Sequence, residues 1–261
     1  MIKSLNTAAT GMAAQQANLD TIANNLANVS TNGFKKSRAE FEDLMYHNLR
    51  EAGEATGLNS ISPTGVQTGL GVRTASVQRD FSYGSAIMTK NPLDLQIEGA
   101  GFFQVQMGDG QIGYTRDGAF KKDPTGRIVD KNGNLLNPVV TVPADATAVE
   151  ITSSGEIRVL QGVGDAPQTI GQVELANFVN PTGLKAQGKN IFTSTPASGQ
   201  PITAKPGQAG LGQVSQGQLE ASNVNIVDEM VNMITAQRAY ETNSKVIQAS
   251  DQMLQTTNAL K

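Results

Sequence analysis

The stretch MIKSLNTAATGMAAQQANLDTIANNLANVS, residues 1–30, sets Leu5, Met12, Leu19 and Leu26 seven residues apart, with Ala8, Ile22 and Val29 three residues behind members of that row. Such spacing predicts an amphipathic helix with a heptad seam. The only charged side chains before Val29 are Lys3 and Asp20, so the face opposite the seam is Asn, Thr, Gln, Ser and Ala. A helix that stands alone in water usually carries more charge. Leu26 and Val29 continue the seam through Asn24, Asn25 and Asn28, which predicts that the helix runs on and that its amides face neighbouring chains. Asn costs several tenths of a kcal/mol relative to Ala inside a helix, so partners of this kind are needed.

The far end repeats the arrangement. Ile226, Met233, Tyr240, Ile247 and Leu254 are again spaced by seven, and Val246, Met253 and Leu260 form an adjacent row. Asn225 is placed as the N-cap, and Asp228 and Glu229 put negative charge in the first turn, where the helix dipole favours it. Between the helices, short alternating or aromatic runs are broken by Gly, Asn, Asp and Pro, which predicts strands and hairpins. Gly101 to Met107 and Gln111 to Arg116 flank the turn at Gly108, Asp109 and Gly110, and Asp117-Gly118, Pro124-Thr125-Gly126, Asn132-Gly133 and Ser154-Gly155 mark further turns. Two Gly- and Pro-bearing stretches, Glu51 to Gly71 and Ser198 to Gly217, are expected as extended connectors.

The expected fold class is therefore α+β. The N- and C-terminal helices pair as a coiled-coil-like arm, joined by extended connectors to a central small all-β domain. The expected boundaries are an N-terminal helix at 1–40, a connector at 41–89, the β domain at 90–197, a connector at 198–221 and a C-terminal helix at 222–261.

Composition narrows the function. The chain has 261 residues and a net charge of −3, with 20 basic against 23 acidic side chains, so it lacks the positive excess that nucleic acid binding requires. It has no Cys and a single His47, which removes disulfides, thiol nucleophiles and any two-imidazole metal site. Charged residues are only 16% of the chain, against about a quarter in an ordinary soluble domain, and a largely uncharged polar surface suits contact with copies of itself. No apolar run has the length of a signal peptide or a membrane-spanning helix.

Motifs that could carry chemistry are incomplete. Gly69 and Gly71 open a dinucleotide-like fingerprint, but Thr74 replaces the third Gly. Asp130, Asn132 and Asn134 have calcium-loop spacing, yet Leu135 stands where Gly is required and Thr141 where the bidentate Glu belongs. Glu40, Glu42 and Asp43 lack a partner His or metal ligand and read as a solvated or interface face. No catalytic, cofactor-binding or metal-binding residue is assigned, and no cofactor is expected.

Three segments carry a resemblance. Ala23, Asn24, Asn25, Leu26, Ala27, Asn28, Val29, Ser30, Thr31, Asn32, Gly33, Phe34 and Lys35 resemble the N-terminal signature of the axial proteins of the bacterial flagellum, those of the rod and hook. Ser222 to Asn225, with Glu229, Met230, Asn232, Met233, Ile234, Gln237, Arg238, Ala239, Tyr240, Glu241, Asn243 and Lys245, resemble their second signature. Gly99 to Phe103 and Tyr114 to Gly118 resemble the opening of their shared β domain. Within that family the stretch from Phe41 through Tyr46, His47 and Arg50 to Gly71 is similar to the extra segment of distal-rod members; the alternative is a proximal-rod member.

The resemblance implies a structural subunit, not an enzyme, that polymerises into the straight hollow shaft transmitting torque to the hook. It implies export through the flagellum's own channel without a cleaved signal. The implied location is the rod crossing the periplasm to the outer membrane. The implied partners are further copies of the chain, the proximal rod protein, the hook protein, the P-ring and L-ring proteins, the export apparatus and the rod cap. The residues expected at the assembly interface are Leu5, Met12, Leu19, Ile22, Asn24, Asn25, Leu26, Asn28, Val29, Ile226, Met230, Met233, Tyr240, Ile247 and Leu254. Phe41, Leu44, Met45, Tyr46 and Leu49 are expected to anchor a connector that stiffens the shaft. A reading from another class, a secreted β module that binds a ligand, calls for an aromatic platform, and the chain has no Trp.

Overall fold

The computed structural model describes residues 2–53, 55–57, 60–61, 63–162 and 166–259. Leu260 of the C-terminal row lies outside the described residues, as do positions 54, 58, 59 and 62 within the first expected connector. The chain divides into two compact units. One gathers the chain up to Ala27, Ser37–Gln78 and the chain from Asn225 onward; the other is Asn28–Lys36 with Arg79–Val224.

The first unit holds both helices, α1 (Ile2–Ala27) and α2 (Ile226–Ala259). Asn243 lies where a Cβ on Gly11 would meet it, and Asn25 bonds Glu229. The step from Gly11 forward to Asn25 equals the step from Asn243 back to Glu229, so the helices pack antiparallel in constant register. Asn225 does cap α2, its Oδ1 accepting the Val227 N–H at 3.1 Å.

The expectation that α1 runs on through Asn28 and Val29 is corrected: the helix ends at Ala27. The Thr31 N–H turns back to the Asn28 carbonyl, and Gly33 sits at φ +67° with backbone of Arg116 within 2.6 Å of its absent Cβ. A side chain there is excluded twice, by conformation and by space.

The stretch expected as a plain connector after residue 41 is extended but also paired. Strand Ser37–Asp43 pairs with Val72–Arg79, and Tyr46–Arg50 pairs antiparallel with Val66–Gly69 in the register Tyr46↔Gly69 and His47↔Thr68.

The second unit is mostly β. Phe102–Gln106 is central, flanked by Ile112–Thr115 across the expected turn and by Leu135–Leu136 and Leu175–Asn177. A separate three-stranded meander runs Ala148–Ile151, Glu156–Leu160 and Gln168–Gln172. The turns at Gly126, Gly133 and Gly155 all have positive φ, as their sequences predict. The second expected connector is woven into this unit. Ile202–Ala204 pairs with Leu175–Asn177, Gln213–Gln216 with Leu95–Glu98, and Gln218–Glu220 with Ala86–Met88. Its Gly and Pro mark turns between strands whose partners lie far away in the chain, which local composition does not reveal.

Phe103, Val105, Leu136, Ile157, Val159, Val173 and Leu175 form the solvent-free centre of one core. A second core is aromatic: Phe102, Tyr114, Phe178 and Phe192 with Phe81, ring on edge at centroid distances of 4.8 to 6.2 Å.

Candidate assembly surface

Within the first unit, the buried side chains among the described residues are Ala8, Ala14, Ile22 and Asn25 along α1, and Glu229, Ala236 and Ser250 along α2. With Asn243 facing Gly11, the α2 series Glu229, Ala236, Asn243 and Ser250 is itself a heptad, made of small and polar residues. Small side chains let two helices approach closely, and they leave the large apolar ones outside the contact.

Leu5, Met12, Leu19 and Leu26 of the expected seam are half-buried, as are Val29, Met233, Ile247 and Leu254; Ile22 alone among the large apolar members is fully buried. Ile226, Met230 and Tyr240 are exposed. So are Val227, Val231, Ile234, Val246 and Met253, which makes eight large apolar side chains on one helix, each 39 to 67% exposed. At about 1 kcal/mol for the remaining half of each burial, on the order of 8 kcal/mol of apolar transfer is still open on α2. Five of the eight fall between Ile226 and Ile234, in the first two and a half turns.

Asn25 is engaged within its own unit. Its Oδ1 accepts the Ser37 N–H at 2.8 Å, and its Nδ2 donates to the Ser37 carbonyl at 2.8 Å and to Glu229 Oε2 at 3.2 Å. Asn24 is exposed and Asn28 half-buried. The connector residues are open: Phe41 at the margin, then Met45, Tyr46 and Leu49, with Met45 83% exposed, while Leu44 is half-buried and donates its N–H to the Gly71 carbonyl at 2.9 Å. The strand Tyr46–Arg50 is exposed at every position, so neither face of that ribbon is covered. The Asp43 carboxylate beside it pushes the Tyr46 hydroxyl above its usual range.

The acidic residues beside the ribbon serve it locally. Glu40 accepts from Arg38, Ser76 and Gln78, and Glu42 pairs with Arg73. Asp130 accepts the N–H groups of Asn132 and Asn134 and closes an Asn-Gly turn. Among the described residues no group of three His, Cys, Asp or Glu is placed to hold a metal ion, and no helix is long and apolar enough to cross a membrane.

The sequence reading passes over a buried ionic cluster in the second unit. Lys35, Arg116 and Glu220 meet there at 2.6 and 3.3 Å, although Lys35 and Arg116 stand inside quoted motifs. Nothing in their local sequence marks them as partners, because they are separated by more than a hundred residues from Glu220.

Family profiles match the chain in three places: "Flagella basal body rod protein" at residues 5–35, "Flagellar hook protein FlgE/F/G D1 domain" at 96–159 and "Flagellar basal body rod FlgEFG protein C-terminal" at 215–260. Full-length relatives are similar throughout. The chain is 49% identical to the flagellar basal-body rod protein FlgG of Buchnera aphidicola from Acyrthosiphon pisum over 260 residues and 47% identical to that of Caulobacter vibrioides over 261. It is 37% identical to that of Bacillus subtilis over 266, each alignment covering 100% of both chains.

Proposed function

The chain belongs to the flagellar basal-body rod protein family, and from that premise we propose that it is a distal-rod subunit whose copies polymerise into the straight hollow shaft carrying motor torque to the hook. Its role is structural and not enzymatic. The observation that carries the reading is the exposed apolar row on α2. Contacts that repeat head to tail without closing would cover that row on every copy and generate a helical filament.

The half-buried Leu5, Met12, Leu19, Leu26, Ile247 and Leu254 would complete their burial in contacts between copies as well, the helices pairing in the manner of a coiled coil. The open ribbon from Phe41 to Leu49 is the natural arm to lie on a neighbouring copy. The proximal rod protein and hook protein at the two ends, the P- and L-ring proteins around the shaft, and the export apparatus and rod cap during assembly are the partners this role requires. The location this role calls for is the rod across the periplasm.

Electron microscopy of the purified chain at high concentration tests the proposal. Straight filaments are the expected result; a persistent monomer that binds glycan overturns it in favour of a β-domain binding module.

A further inference from the structure

Three side chains from distant parts of the chain close the interior of the second unit. Lys35 comes from the Asn28–Lys36 segment, Arg116 directly follows strand Ile112–Thr115, and Glu220 ends strand Gln218–Glu220. Lys35 Nζ donates to Glu220 Oε1 and to the Ser82 carbonyl, both at 2.6 Å. Arg116 donates to Glu220 Oε2 at 3.3 Å and to the carbonyls of Ile97 at 3.3 Å and Gly99 at 2.7 Å, with its guanidinium over the rings of Tyr83 and Phe102. The Gly84 N–H donates to the same Oε1 at 3.0 Å. The side chains of Lys35, Glu220 and Arg116 are 0, 1 and 3% exposed.

Two buried cations therefore share one carboxylate. Burial pushes the Lys35 ammonium below its usual range, and Glu220 is the largest influence holding it up. Asp80, which pairs with Lys36 at 3.7 Å, adds a weaker attraction. Remove the Glu220 charge and like charges face each other in a medium that cannot screen them.

The carboxylate also comes from far away. Glu220 lies 104 residues from Arg116 and 185 from Lys35. Its strand pairs with Ala86–Met88. The central strands Phe102–Gln106 and Ile112–Thr115, by contrast, are joined by one short turn. Loop closure favours the local pairing first, and synthesis from the N-terminus delivers residue 220 late.

We infer that Glu220 is the closing latch of this unit: the central sheet forms first, and docking of residue 220 neutralises Lys35 and Arg116 last. Closing also ties together the chain's entry and exit. The Gly33 N–H bonds the Glu220 carbonyl at 2.8 Å, and the Lys36 N–H bonds Asn223 Oδ1 at 2.7 Å. A chain that is incomplete or cut before residue 220 keeps the unit open.

Pulsed hydrogen exchange during refolding of the full chain, read by mass spectrometry, tests this. Peptides covering Phe102–Thr115 should gain protection at least about tenfold faster than those covering residues 28–36 and 213–220. Glu220→Gln should leave the fast phase within about twofold and speed opening of the slow peptides about tenfold or more, as expected for a contact absent from the transition state. Should Glu220→Gln alone fail to fold, the double variant Lys35→Met/Glu220→Gln, which removes one of the two cations, should restore protection. Protection of all peptides in a single phase, a slowed fast phase in Glu220→Gln, or no rescue by Lys35→Met would each overturn the latch.

Discussion

Asn25 does with its side chain what a strand does with its backbone, pairing both polar groups of Ser37 while also bonding Glu229. Asn25→Ala leaves the Ser37 N–H and carbonyl and a buried carboxylate short of partners. It should cost about 2 to 4 kcal/mol by urea unfolding of the full chain. That Asn25 needs compensation is legible from its poor helix propensity, but the partner is not, because Ser37 lies in the strand that follows, beyond the helix end at Ala27.

Lys35 gives a pH test with a definite sign. Its folded pKa lies below 10.5, mainly because of burial, and the groups facing it are Glu220, Arg116 and, at longer range, Asp80. In that window the unfolded chain binds more protons, so stability rises with pH. The stability of the parent chain minus that of Lys35→Met should therefore grow as pH climbs from neutral toward 10.5. A flat difference would show that burial does not penalise the ammonium.

At the scale of the element, the two helices are legible from their periods, as is the α2 N-cap. Which faces they present to each other is not. A heptad reading weights Leu, Met and Ile, whereas the faces that close inside the chain use Ala8, Gly11, Ala14, Ala236 and Ser250, whose small volumes permit close approach. The two kinds of position should respond oppositely. Ala236→Asp buries an unpaired charge between the helices and should destabilise the isolated chain by about 3 to 5 kcal/mol. Val231→Asp, at a side chain 54% exposed, should leave the monomer's thermal transition within about 0.5 kcal/mol of the parent and yet abolish filaments at concentrations where the parent assembles. Filaments from Val231→Asp would remove α2's open face from the assembly contact.

At the scale of the molecule, the question is what keeps a shaft straight. A shaft that turns inside a close-fitting ring must not shorten and lengthen on alternate sides, so neighbouring subunits need contacts that hold their spacing. The ribbon built from Tyr46–Arg50 and Val66–Gly69 is suited to that work. Its hydrogen bonds stiffen it along its length, and Met45, Tyr46 and Leu49 offer 83, 55 and 61% exposed apolar anchors. A two-stranded ribbon bare on both faces is marginal in water, which makes a neighbouring surface its expected support. Two full-chain variants separate the anchors from the ribbon itself. Deleting Ala52 to Thr68 removes most of the second strand, and replacing Met45, Tyr46 and Leu49 by Ser keeps the pairing but strips the anchors. Both should still polymerise through the helices, and both should give curved or variably bent filaments by electron microscopy. If the deletion bends filaments and the Ser variant leaves them straight, stiffness comes from the ribbon's backbone and not from its apolar anchors. If both stay as straight as the parent, stiffness resides in the helical core.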